Sequence, residues 1–473
     1  MDRTTLDRPL ADVLATLDPG DADAAHDHLG LAAITDHALV SACAAVIDRP
    51  KAAPPDSFVL HAPLELMARA GLLARVTPDA RDAARRRLVR FAATYAAAGP
   101  AADEPPLPAL LEAGRAEAVA VRPVSSGGDG VAATVVTGGP EVDGEPSVGS
   151  TSPPWSAAEA TAGLAAAITA GDLDAAGAAA RALAGVVGTE DLVAALVDLV
   201  APSLAAAAHG GIYLNQLRSF AGTPAAPGVA NMARELARHP DWRLTWFEGL
   251  DLAASAATRS ADALVEALRR PASPGPLDVN FIYPTMHLTE SSGLAAEVLA
   301  PALAGVERAS ASRALLRVAA LSMLQDDPAE APYGWSHCLT MPHGLLSVAT
   351  LSSRPGDVLA VAATYVLGFR ATQGAVDLDP HWAPAAPPVD TFAALDGPPD
   401  LAAAGAWHAV AGDRAEVASL LAGRAAAHED AHLAKYTLAC LQLADADPAF
   451  AHGFLAAAAF LGAWWRQADG VLD

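Results

Sequence analysis

Cysteine is scarce. The chain of 473 residues has three, Cys43, Cys338 and Cys440, far apart, odd in number and without a C-x-x-C spacing, which argues against a disulfide framework and against a cysteine-built zinc site. Positive charge is scarce as well: 30 Lys and Arg against 54 Asp and Glu give a net charge of −24 and a pI near 4.8. Basic runs are short, as in Arg81 to Arg90. Phosphates would be repelled rather than neutralised, so neither nucleic acid nor an anionic membrane surface is expected as a partner. No uninterrupted apolar run reaches spanning length, and the opening MDRTTLDRPLADVL carries acids and no apolar h-region, so it does not read as a signal peptide. A cytoplasmic location is expected. Also missing are long β-branched runs, a repeat of fixed period with recognisable signature residues, and a G-x-G-x-x-G after a strand, which leaves no dinucleotide fold.

What is present is alanine and leucine at helical spacing, broken by Pro and Gly, in a chain that is 52% hydrophobic and long enough to bury a large core. Helices are expected over Ala157–Ala170, Leu173–Val187, Thr189–Leu199, Ala261–Leu268, Gly293–Leu303 and Ser310–Leu324. Ser156 with Glu159, and Thr189 with Asp191, offer N-terminal caps. The fold class that follows is all-α: a large helical-bundle body of many helices with loop insertions. Two stretches break the pattern. Residues 120–155 are rich in Gly, Ser, Pro and Val and read as a connector with room for a short hairpin, dividing an N-terminal helical segment, 1–119, from a main segment, 156–473, the two forming one catalytic body. Asp377–Asp400 gathers prolines around His381 and Trp382 and reads as an ordered surface loop or lid over a reactive site.

Ala427 to Cys440, AHEDAHLAKYTLAC, reads as one helix on which His428 and His432 are spaced i, i+4 and His432 and Lys435 i, i+3, so that each pair shares a face. Taken literally, His428-Glu429-Asp430-Ala431-His432 fits the zinc-hydrolase pattern H-E-x-x-H, with two imidazole ligands and a glutamate base. The extended pattern, however, requires a Gly and a third His further on, where this chain has Leu433-Ala434-Lys435-Tyr436-Thr437-Leu438.

Of the fourteen histidines, His26, His28, His37, His239, His408 and His452 read as packed or surface residues. Four others sit among apolar or small residues: His61 in FVLHAPL, His209 in AHGGIY, His287 in FIYPTMHLT and His337 in GWSHCLTMPH. A buried imidazole needs a partner, which a metal or a hydrogen bond would supply. The alternative is a set of satisfied core histidines.

Taken in order, HAPLELMARAGLL (His61 to Leu73), HGGIYLNQLRSF (His209 to Phe220), GWSHCLTMPHGLL (Gly334 to Leu346) and AHEDAHLAKYTLAC resemble the successive histidine motifs of the questin oxidase-like family, over about residues 55 to 460. The sequence departs from that pattern at Leu60, where an Asn is expected, and at Tyr213, where fungal relatives carry a second His. The resemblance implies a non-haem iron enzyme of secondary metabolism that opens the ring of an anthraquinone-type aromatic polyketide, by Baeyer-Villiger-like oxygen insertion or by dioxygenation.

Residue chemistry is compatible with that implication. Neutral imidazoles from separate helices suit Fe(II), but an obvious carboxylate ligand is missing: on a continuous helix Asp430 faces away from His432 and Glu429 only grazes its side. Lys435 faces the same way as His432. Burial lowers a lysine pKa, and the neutral amine can take up carbon dioxide as a carbamate, an anionic oxygen ligand; the alternative is an ordinary lysine reaching solvent or pairing with an acid. The expected ligand set is therefore His61, His209, His337 and His432 with carbamylated Lys435, His287 being the alternative to His337. Dioxygen is the co-substrate, and a reduced substrate supplies electrons itself, so that no flavin or haem is required; a need for NADPH as external reductant stays open. His287, His343, Tyr213 and Asn215 are candidates for orienting substrate or ligands, and Trp335, Trp382 and Phe281 for lining a flat pocket. The competing functions are a zinc hydrolase using His428, Glu429 and His432, and a metal-free helical binding scaffold.

Overall fold

The computed structural model describes residues 9–51, 57–99, 156–250, 252, 259–277 and 281–471. The expected connector, 120–155, lies outside the described residues. Among these the architecture is all-α, with twenty α-helices and no sheet; isolated bridges join Ser203 to Arg243 and Arg259 to Val306. No described helix is long and apolar enough to cross a membrane.

Local chemistry sets the helix limits. Ala157–Ala170 begins with a complete capping box, in which Ser156 Oγ accepts from Glu159 N and Glu159 reaches back to Ser156 N, and it ends on Gly171 at φ 72°. Leu173–Val186, Asp262–Arg269, Leu294–Leu303 and Arg308–Gln325 lie within two residues of the limits expected from periodicity. Thr189 is not a cap: Thr189–Val200 starts on it, with Gly188 in the cap position and no side chain accepting there.

Eight helices build the region around the histidines. They are labelled α1 (Ser57–Leu73), α2 (Pro78–Ala97), α3 (Gly210–Ser219), α4 (Ser336–Val348), α5 (Pro355–Gln373), α6 (Pro399–Ala427), α7 (Ala431–Ala446) and α8 (Ala451–Ala468). α1 packs against α3, α6 and α7, while α4 packs against α3, α5 and α7, so helices from both ends of the chain share one core. That core is mostly Ala and Leu, and the small residues let helix axes come close.

α3 and α4 approach each other closely. A Cβ on Gly344 would lie 2.5 Å from both Gly211 C and Ile212 N, and one on Gly211 would lie 2.6 Å from Leu345 Cγ. The two backbones are therefore in direct contact, which places His209, at the start of α3, beside His337 in the first turn of α4.

The segment Asp377–Asp400 does not cover the histidines. It is moored elsewhere: Asp379 exchanges backbone hydrogen bonds with the Gln325 amide at 2.9 and 3.0 Å, Trp382 packs edge-on against Trp407 of α6 at 5.5 Å, and His408 bonds Pro384 O at 3.0 Å. Trp382 borders a separate cleft of about 460 Å³. The expectation of a lid is corrected: these anchors hold the prolines against α6 and the end of Arg308–Gln325.

Two glycines give opposite predictions. Gly344→Ala should destabilise by about 3 kcal/mol, the upper range of core overpacking, because the clash is with backbone that has no rotamer to change. Gly462→Ala in α8, where a Cβ meets only Leu433 Cδ1 at 4.0 Å, should stabilise by about 0.5–1 kcal/mol through loss of unfolded-state freedom. Denaturant midpoints of the two variants check both signs.

Candidate metal centre and its cavity

Four of the sequence candidates converge. The ligand nitrogens of His61, His209, His337 and His432 all lie within 4.8 Å of one another. His61 comes from α1, His209 from the residue before α3, His337 from α4 and His432 from α7. His209 Nε2 is 2.9 Å from His61 Nε2 and 3.2 Å from His337 Nε2, and the rings meet tilted or edge-on with centroids 4.6 to 5.0 Å apart.

The backbone decides which nitrogen each ring presents. His209 Nδ1 lies 2.8 Å from Ala207 O and 3.1 Å from Ala206 O, and His337 Nδ1 bonds Tyr333 O. Carbonyl oxygens only accept, so both Nδ1 atoms carry the proton and both Nε2 atoms carry the lone pair. Those two lone pairs face each other across 3.2 Å. His61 can donate to at most one nitrogen, so the cluster cannot be satisfied by neutral imidazoles alone. A bridging proton is disfavoured: burial, and then the Lys435 charge, hold His61 and His209 well below the ordinary histidine pKa, and burial followed by its histidine neighbours does the same for His337. A divalent cation removes the conflict. Nitrogens bound to one metal at about 2.1 Å would be about 3.0 Å apart at right angles and about 3.4 Å apart at tetrahedral angles, and the separations here are 2.9 and 3.2 Å. The residues present fit a transition metal of the kind imidazole favours.

Holding His209 in place strains the chain. Ala206, Ala207 and Ala208 form a short turn with φ of 52°, 50° and 55°, a left-handed conformation costing about 1–2 kcal/mol per L-residue. Both carbonyls that orient His209 come from this turn. Strain of this kind persists only where its surroundings over-determine it.

Lys435 is 2% exposed, and its Nζ has no hydrogen-bond partner. Burial lowers its pKa to about 8, with Asp430 and Glu65 pulling the other way. An unpartnered amine beside four imidazoles is a poor neighbour for a cation when charged, and a usable nucleophile when neutral.

AHEDAHLAKYTLAC is not one helix, and this corrects the expectation. α6 ends at Ala427, His428 is its C-cap, and Asp430 caps α7 by accepting from His432 N at 2.6 Å and Leu433 N at 3.2 Å. His428 turns away: its Nε2 pairs with Asp469 Oδ2 at 3.0 Å and its Nδ1 accepts from Asp430 N at 3.0 Å. With both ring nitrogens engaged there, His428 and His432 do not form the H-E-x-x-H ligand pair. Asp430, expected to face elsewhere, lies in the site, with Oδ1 3.3 Å from His432 Nδ1, although that nitrogen makes no directed hydrogen bond. Burial pushes the Asp430 carboxyl up, but His432 and Lys435 bring it net below its ordinary value.

The break is held from α1 and α2. Arg69, fully buried, donates to Ala426 O at 2.7 Å and to Ala425 O and Glu429 O at 3.3 Å, and Arg87 donates to Glu429 O at 2.7 Å. Glu65 pairs with both, 2.6 Å from Arg69 and 3.3 Å from Arg87. His61, Glu65 and Arg69 recur every four residues along α1, so one helix face carries a candidate ligand and the groups that fix another.

The cluster opens into a cavity of about 820 Å³, lined by all four histidines, by Glu65, Arg87, Glu235, His239, Glu330, Gln373, Glu429 and Asp430, and by Trp242, Phe281, Tyr333 and Phe369. Phe281 is 54% and Tyr333 55% exposed, although both are large rings on a concave wall. Tyr333 also lies edge-on to His432 at 5.0 Å.

Several candidates lie away from this cavity. His287 is exposed and stacks on Tyr283, so it does not replace His337. His343 is buried without lining the cavity, its pKa lowered to about 4 by burial. The Tyr213 hydroxyl is buried without a partner, and Asn215 donates to Gln442 Oε1 at 3.3 Å. Trp335 is a core residue whose Nε1 donates to Asp327 O, and Trp382 borders the other cleft. His239, read as structural, lines the cavity. Glu65, Arg87, Trp242 and Tyr333 were missed altogether; the four-residue spacing His61, Glu65, Arg69 was the available signal for the first.

In comparisons with known proteins, the chain matches no family model, no curated protein and no solved structure.

Two predictions follow from this geometry. Arg69→Met should cost about 3–5 kcal/mol, as when one partner of a buried ion pair is removed. Adding Glu65→Leu should recover part of that stability but not metal affinity, since the carbonyls of Ala425, Ala426 and Glu429 still lose a donor; chemical denaturation and metal titration separate the two effects. For Lys435, the folded pKa of about 8 lies below the ordinary lysine value of 10.5. Below pH 8 both states are protonated and the full cost of burying the charge is present, so Lys435→Met should stabilise the metal-free protein at pH 7 by about 3 kcal/mol. As pH rises from 8 towards 10.5 the native lysine is neutral while the unfolded one still binds a proton, so the parent gains stability and the difference should shrink. Urea melts between pH 7 and 10 test the sign.

Proposed function

We propose that this protein is a non-haem iron oxygenase acting on a planar aromatic polyketide of the anthraquinone or hydroquinone type. His61, His209, His337 and His432 would hold Fe(II), with Lys435 as a carbamate supplying the anionic oxygen. The observation that carries this reading is the convergence of lone pairs on His209 and His337 Nε2 at the wall of a cavity with exposed aromatic rings, with the unpartnered amine of Lys435 buried behind the histidines and outside the cavity lining. The resemblance of the four histidine motifs to the questin oxidase-like family points the same way.

Fe(II) bound there would supply the one-electron chemistry that lets dioxygen react with an electron-rich ring. The rest falls to the chain. Lys435 Nζ attacks carbon dioxide, forming an N–C bond and releasing one proton, for which the neutral amine is required. Ala206 O, Ala207 O and Tyr333 O fix the tautomers of His209 and His337. Phe281 and Tyr333 offer faces against which a flat ring stacks, and the cavity carboxylates accept its phenolic hydrogens. In dioxygenation both oxygen atoms enter the product; in oxygen insertion one leaves as water, with two electrons from the reduced substrate or from an external donor such as NADPH.

Protein loaded anaerobically with Fe(II) should bind about one iron per chain, and each single His→Ala change at the four positions should lower affinity by at least the 10–100-fold typical even of outer-shell changes, while leaving the helical signal intact. Lys435→Arg, which cannot become neutral, should lose iron, whereas Lys435→Ala should regain part of it when acetate or formate is added. Elemental analysis and oxygen uptake with an anthrol substrate decide. Iron binding and turnover by Lys435→Arg equal to the parent would sink the carbamate, and absence of metal from the loaded parent would leave a helical scaffold.

A further inference from the structure

A file of stacked rings runs from the cavity wall to the protein surface. His239 and Trp242, both on the cavity wall, stack with centroids 3.8 Å apart and planes 10° from parallel. Trp242 stacks on Tyr283 at 4.0 Å and 20°, and Tyr283 on His287 at 5.5 Å and 6°. His287 is exposed, and Tyr283 and Trp242 are half-buried. Ring pairs at the histidine cluster and around Trp407 and Trp465 are instead tilted or edge-on, the usual preference of aromatic quadrupoles. Three successive near-parallel contacts, drawn from the turn after Val229–Arg238 and from the helix Ile282–Ser291, thus join the space beside the candidate iron to solvent. Two of the four rings are tryptophan and tyrosine, the side chains that most readily give up one electron reversibly.

We propose that His239, Trp242, Tyr283 and His287 form a conduit that passes single electrons from the surface into the cavity, so that a small reductant in solution resets the site when dioxygen is consumed without substrate. This rests on the oxygenase reading above. Trp242 gives one electron to the oxidant that dioxygen leaves in the cavity and becomes an indole radical cation. Tyr283 returns an electron to Trp242 and loses its phenolic proton to water. Ascorbate in solution then restores Tyr283 with one electron and one proton. Four such electrons, with four protons, take one dioxygen to two waters. His239 and His287 are not oxidised; they hold the two redox rings face-on at either end. Tyr283 does not line the cavity, so substrate contacts do not depend on its hydroxyl.

The test uses the Fe(II)-loaded full chain exposed to dioxygen without substrate, frozen at intervals for electron paramagnetic resonance, with iron content and oxygen uptake measured on the same samples. The parent should show a tyrosyl radical that ascorbate removes, and ascorbate should preserve its activity. Tyr283→Phe keeps the ring and the stack but should replace that signal with an indole radical. Trp242→Phe should lose both signals and should inactivate severalfold faster per dioxygen consumed, with ascorbate giving no protection. A tyrosyl signal unchanged in both variants, or equal survival of all three proteins with ascorbate, overturns the conduit while leaving the oxygenase reading intact. A parent that binds no iron or takes up no dioxygen overturns the reading and the conduit with it.

Discussion

The organisation of this protein turns on buried imidazole nitrogens that face one another at the base of a cavity. Each backbone carbonyl that takes the outer ring proton of His209 or His337 forces the inner nitrogen to present a lone pair, and the two lone pairs meet at 3.2 Å. Such a contact is unfavourable by itself and is sustained by the rigidity of what surrounds it: backbone contact between α3 and α4 at Gly344, a left-handed alanine turn ahead of α3, and a π-type turn, Ala331–Trp335, ahead of α4. A centre prepared in this way pays little reorganisation when a cation enters, which is the sense in which the chain is pre-organised for metal.

The opposite half of the cluster is assembled differently. His61 and His432 are linked through the arginines that hold the carbonyls of the α6–α7 junction, with Glu65 paired to both. A buried ion pair gives little net stability, but removing one partner is costly, so this arrangement specifies position more than it contributes energy. It also explains why the chain leaves the helix at His428: Arg69 and Arg87 satisfy the carbonyl oxygens that a continuing helix would have bonded, and Asp430 restarts the next helix.

Much of this was legible in the sequence, and the parts that were not share a cause. Helix positions followed from Ala and Leu spacing with Pro and Gly punctuation, and the apolar company of His61, His209 and His337 marked rings that would need a partner. His432 and Lys435 were readable as one face because the two share an unbroken turn. His428 was misplaced because the break at Glu429 is imposed by arginines more than three hundred residues earlier, a tertiary effect that local periodicity does not register. The same reason hid Asp430. His287 and His337 had nearly equivalent neighbours, and only the approach of α3 to α4 separates them. His239 and Trp242 enter the cavity from a turn, where no periodicity predicts a facing direction.

The left-handed turn at Ala206–Ala208 has an evolutionary consequence. Ala206 and Ala207 form part of the cavity wall, and β-branched or bulky side chains are far less tolerated than alanine at φ near 50°. That stretch of wall is in effect made of main chain and methyl groups, and point mutation has few ways to reshape it. Adaptation to a new ligand would therefore be channelled to residues around the rest of the cavity whose backbone accepts any side chain, such as Phe281 and Tyr333. Relatives that diverge in what they bind should vary there first, while the strained tripeptide stays small.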